Sequence, residues 1–160
     1  MREQTKSETI EQMSFRYGIL MALALAGVFF LMKAFGLEHN LSLRAFNLLI
    51  LASFVFMAIK QYKQNRGGGL SYFKGLGLGI LTTVVGAVSF AIMVVYYVTI
   101  VAPEFMETIK SQEPIGDFLN PILVGCTIII EGVASGCLVS YGIMQFFKPS
   151  RIVSRVTVHD

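Results

Sequence analysis

The chain has 160 residues, 54% of them hydrophobic and only 14% charged, with a mean hydropathy of +0.66. Soluble domains carry about a quarter charged residues, so water is not the main solvent, and a chain of this length is expected to form one domain over 1–160 with no separate soluble part. The net charge of +3 does not indicate nucleic acid, because no basic recognition motif is present and membrane proteins gather Lys and Arg on one side for topological reasons.

The first apolar segment covers about 15–37, a length that crosses a bilayer. In the polar lead before it, Thr5 and Glu8 fit a capping box, and within it Gly18, Ala22 and Ala26 step by four. The apolar run continues through Phe30 and Met32, past any cleavage point at the small residues, which marks an uncleaved anchor. A second segment, about 43–59, is near the lower limit for a crossing and carries Asn47 near one end and Ser53 near its middle. The third covers about 73–101 and is stopped by Pro103. Between Pro103 and Pro114 a short helix over 103–113 is expected, with Phe105, Met106 and Ile109 on one face. It lies flat on the outer interface, either as a cap over the bundle or as a docking element. The fourth segment, about 118–147, is stopped by Pro149.

Lys and Arg set the orientation. Arg2, Lys6, Arg16, Lys60, Lys63, Arg66, Lys74, Lys148, Arg151 and Arg155 fall on one side of four crossings, and Lys33, Arg44 and Lys110 on the other. Both termini are therefore expected to be cytoplasmic. Tyr17, Tyr62 and Tyr72 stand where an inner interfacial belt belongs. Lys33, close to the outer end of the first span, is placed to snorkel to the interface. Cys126 and Cys137 are about 16 Å apart along one helix, too far to bridge, and are expected as small core residues.

Glycine is patterned on helix faces. Gly75, Gly79, Thr82, Gly86, Ser89 and Met93 form one stripe on the third span, and Gly125, Gly132 and Gly136 a second on the fourth. Small residues let backbones approach closely, so the third and fourth spans are expected to pack together, or one stripe to serve a second copy. The run of glycines from Gly67 to Gly79 lacks the preceding strand and the Lys-Ser/Thr of a phosphate loop, and reads as a flexible turn followed by a packing face.

Glu131 is the one carboxylate in the middle of an apolar span. An ionisable group there is costly and marks a candidate site. Two readings follow: a protonatable or cation-binding site, with Ser89, Ser53, Ser135 and Asn47 as lining groups, or a protonated carboxyl that donates a hydrogen bond to Ser89, Ser53 or a backbone carbonyl. His39 and His159 have no thiol or carboxylate at ligand spacing, so no metal site is expected, and no nucleophile, base and orienting group come together to make an enzyme.

The segment GGGLSYFKGLGLG from Gly67, the segment VVYYVTIVAPEFMETI closing the third span, and Arg44 and Asn47 opening the second resemble a known family. It is the domain-of-unknown-function family of small four-span inner-membrane proteins common in Bacteroidetes. The resemblance covers nearly the whole chain and is strongest from Gly67 to Ile109. It implies a bacterial cytoplasmic membrane and four helices, and it brings no activity, cofactor or catalytic residue. Glu131 has no place in its pattern.

The expected protein is thus an all-α, multi-pass bundle of four transmembrane helices without cofactor. Its expected role is a non-enzymatic accessory or packing partner in contact with membrane lipid, as a homo-oligomer or with another membrane protein. The alternative is a small proton- or cation-coupled carrier or channel using Glu131.

Overall fold

Thr9 ends the polar lead with its hydroxyl accepting from the Gln12 N–H at 3.3 Å, while the Gln12 side chain accepts from the Thr9 N–H at 3.4 Å. This reciprocal cap opens the first helix one turn ahead of the apolar segment. A computed structural model describes residues 9–35, 42–66, 70–112 and 116–147. The expected cap at Thr5 and Glu8, the glycine turn at 67–69, the stops at Pro114 and Pro149, both histidines and the charges of the two tails lie outside the described residues.

Among the described residues five α-helices follow in order: α1 Ile10–Ala34, α2 Ser42–Asn65, α3 Tyr72–Tyr96, α4 Pro103–Gln112 and α5 Pro121–Phe146. No strand occurs among the described residues. α1, α2, α3 and α5 are long and apolar enough to cross a membrane. At 1.5 Å per residue the 26 residues of α5 reach about 39 Å, beyond the ~30 Å hydrocarbon layer. α2 continues past the expected end at Ile59 through Lys60, Gln61, Tyr62 and Lys63. α5 starts at Pro121 rather than Phe118, because the Asn120 side chain accepts from the Leu123 N–H at 2.8 Å and Pro121 suits the first helical position.

The last turn of α3 widens. Tyr97–Val101 is π-helical, and the Ala102 N–H reaches back to the Tyr97 carbonyl at 2.9 Å. This widening stands directly before Pro103, whose missing N–H and bulky ring end an α-helical ladder. α4 then folds back onto the bundle end, burying Met106 against Val94, Tyr97 and Val98, with Phe105 and Ile109 beside it. The shared face of these three residues is a cap.

α3 is the central element: 44% of its span is buried, against 11% for α5 and 22% for α1. It is packed on two sides. Along α1 the meeting points are Ser14 with Leu78, Gly18 with Thr82 and Val85, Met21 with Gly86, and Phe29 with Tyr97. These advance together, so α1 and α3 are parallel. Along α5 they are Met144 with Gly75, Ser140 with Gly79, Gly136 with Thr83, Gly132 with Ala87, and Gly125 with Val95, which makes α5 antiparallel. All three glycines of the stripe on the fourth span face α3, whereas Gly142 meets nothing. The stripe on the third span is divided: Gly75 and Gly79 meet α5, whereas Gly86 meets α1. A crossing angle between helices moves each contact line across the face, so one stripe serves two neighbours.

The outer coat is apolar. Phe73, Leu138 and Phe146 are each at least 75% exposed, as are many aliphatic side chains of the four long helices. Such a surface needs hydrocarbon around it. Cys126 is exposed in this coat, and Cys137 is half-buried. Tyr62, expected in an interfacial belt, is instead buried among Met13, Ile59 and Met144.

Candidate functional site

α2 and α5 touch at the end away from α4, where the rings of Phe56 and Phe147 stack with centroids 5.4 Å apart. Towards α4 a cleft of about 640 Å³ opens beside them. α5 contributes Val124, Thr127, Ile128, Glu131, Gly132 and Ser135, a recurrence at three and four residues that puts them on one face. α2 contributes Asn47, Leu48 and Leu51; α3 gives Ala87, Phe90 and Val94; α1 gives Met21, Leu25 and Phe29. Phe105, Thr108 and Ile109 of α4 close the top, with Leu119.

The cleft exists because backbones approach closely elsewhere. Gly125, Gly132 and Gly136 draw α5 onto α3, and Gly18 and Gly86 draw α1 onto it. α2 lacks a glycine and presents Asn47, Leu48 and Leu51 to the cleft.

Glu131 is exposed on the cleft wall, ten residues into α5, or about 15 Å from Pro121. Among the described residues it has no hydrogen-bond or salt-bridge partner, and it is the one ionisable side chain lining the cleft. Of the polar groups expected around it, Asn47 and Ser135 are brought to the cleft. Ser53 is not: it is exposed and its hydroxyl donates to the Leu49 carbonyl of its own helix at 2.8 Å. Ser89 does not line the cleft either, and neither serine receives a hydrogen bond from Glu131.

Two polar residues enter that the sequence reading missed. Thr127 stands one turn before Glu131, and that spacing was visible in the sequence. Its hydroxyl donates to the Leu123 carbonyl at 3.0 Å, leaving acceptor capacity towards the cleft. Thr108 arrives only through the docking of α4.

Beside the cleft, Lys33 does not simply reach for water. Its ammonium donates to the Tyr97 hydroxyl and lies 4.6 Å from the Tyr97 ring centroid and 5.3 Å from that of Phe105. The Phe29 ring meets those of Phe30, Phe90, Tyr97 and Phe105 edge-on, joining α1, α3 and α4. At the opposite end Lys63 lies over Phe147 and Arg66 over Tyr62, each at 5.0 Å. No group of three His, Cys, Asp or Glu side chains converges among the described residues.

Four long apolar helices in an apolar coat, with a single carboxylate on the wall of an internal cleft, define a multi-pass helical membrane protein. The family model described as protein of unknown function (DUF4199) matches residues 16–113, and the chain belongs to that family. The match takes in α2, α3 and α4 with most of α1 and ends before α5, so Glu131 lies beyond it. Neither the curated proteins nor the solved structures include a match to the chain.

Proposed function

We propose that the protein is a non-enzymatic accessory protein of the bacterial inner membrane, with both termini cytoplasmic, that holds a small lipid-soluble ligand in the Glu131 cleft. The observation that carries this reading is the cleft itself. Its volume of about 640 Å³ is in the range of small-ligand sites, which combine apolar walls with a few placed polar groups. A partner's transmembrane helix does not fit it, since a rod about 10 Å wide and 30 Å long fills roughly 2,400 Å³. Association with a second copy or another membrane protein then uses the lipid-facing flank of α5, the span least buried within the bundle. The glycines at 18, 75, 79, 86, 125, 132 and 136 are engaged inside the chain and do not serve that purpose.

The test is native mass measurement after extraction in mild detergent. A bound small molecule that is lost in Leu48→Trp, where indole fills the cleft, supports the reading. A monomer with neither ligand nor co-purifying protein overturns it. A second reading, a proton- or cation-coupled carrier, is favoured by the exposure of Glu131 in the cleft. Reconstituted vesicles separate the two: flux that Glu131→Gln abolishes supports transport, and absence of flux in the parent protein removes it.

A further inference from the structure

We infer that the occupant of the cleft is a hydrophobic organic cation whose positive nitrogen or phosphorus centre pairs with Glu131. This rests on the reading of the cleft as a ligand site and adds the sign of the charge. An ionised carboxylate without a partner is unfavourable in a medium of low dielectric. Among the described residues Glu131 has none, and no other ionisable side chain of theirs lines the cleft to compete for a ligand's charge. A ligand carrying positive charge therefore supplies what the described residues lack, and an anion meets repulsion. Asn47, Thr127 and Ser135 add polar contacts on the same walls.

The ligand must also be apolar in body. Leu25, Leu48, Leu51, Phe90 and Ile128 line the same cleft. A bare metal ion leaves nearly all of a volume of about 640 Å³ unfilled and finds a single carboxylate, where cations of that kind take several oxygen ligands. Phenylalanine faces also favour a cation or an aromatic body. Entry is lateral: Glu131 and Leu48 are both exposed, so the cleft reaches the lipid-facing surface.

Tetraphenylphosphonium and tetraphenylborate share size and shape and differ in the sign of their charge. Equilibrium binding of each is measured to the full chain in phosphatidylcholine nanodiscs. The expected result is a saturable site for the cation at pH 8, with the anion at least about tenfold weaker. Glu131→Gln should lose about tenfold for the cation, whereas Glu131→Asp, which keeps the charge, should stay within about threefold. Retained helical content and elution position show that the variants are folded. Equal binding of both probes, with both lost in Leu48→Trp, overturns the choice of a cation and leaves the ligand site standing. Cation binding that survives both Glu131→Gln and Leu48→Trp overturns this inference and the ligand site together. If neither probe saturates, the inference is also overturned, and the native mass measurement alone judges the ligand site.

Discussion

Gly136 of α5 lies so close to Thr83 of α3 that a β-carbon added to the glycine would stand 2.5 Å from the threonine Cβ. Thr83 has little freedom to withdraw, since its branched side chain is held by a hydrogen bond from its hydroxyl to the Gly79 carbonyl at 3.0 Å. Gly136→Ala is therefore expected to destabilise the bundle by about 1–3 kcal/mol through overpacking. Gly142 has nothing within 4 Å of its added β-carbon, so Gly142→Ala should be neutral or gain up to about 1 kcal/mol from helix propensity. Thermal unfolding in detergent gives both values, and equal effects would remove the distinction.

The seam between α1 and α3 allows a finer comparison. A β-carbon on Gly18 would meet the Val85 Cβ at 2.7 Å and the Thr82 carbonyl oxygen at 2.9 Å, neither of which is free to move. On Gly86 it would meet chiefly the flexible end of Met21, with the Gly18 carbonyl oxygen at 3.1 Å. Gly18→Ala should thus lower the melting temperature more than Gly86→Ala. The reverse order would mean that the methionine is the less mobile neighbour.

Lys33 and Tyr97 hold the capped end of the bundle. Tyr97→Phe removes the hydroxyl and keeps the ring under the ammonium, an expected loss of about 0.5–1.5 kcal/mol. Tyr97→Ala also removes a ring that touches Phe29, Phe30 and Phe105, and about 3–5 kcal/mol is expected. Hydrogen exchange on α4 should follow the same ranking.

The carboxylate itself should cost stability. In insertion measurements an acidic side chain at a helix centre is less favourable than leucine by about 3 kcal/mol, and Glu131 receives no compensating hydrogen bond or ion pair among the described residues. Glu131→Leu is expected to raise the melting temperature while abolishing ligand binding, the trade expected of a functional group. A lower melting temperature would instead give the carboxyl a structural role.

Loss of the Asn120 side chain frees the Leu123 N–H at the start of α5. Asn120→Ala should cost about 1 kcal/mol and speed amide exchange at Leu123 and Val124, at the rim of the cleft. Exchange that stays slow there would show that Pro121 alone holds the helix start.

Much of this architecture is local and was legible before any coordinates. Four apolar runs, the stop at Pro103 and the shared face of Phe105, Met106 and Ile109 depend on residues a few positions apart. So did the outlier status of Glu131, because one acidic group within a long apolar helix is conspicuous in any arrangement. Thr127, one turn away on the same face, belongs to that local signal.

Sequence alone therefore determined the solvent, the number of crossings and the one group that hydrocarbon does not tolerate, since each follows from the chemistry of a single segment. Tertiary structure decided how the third-span glycines divide between α1 and α5, why Tyr62 is core, and which hydroxyls share the cleft with Glu131. Those outcomes depend on the crossing angles and spacings of separate helices. Periodicity within one helix assigns a residue to a face but carries no information on which neighbour, or which gap, that face meets.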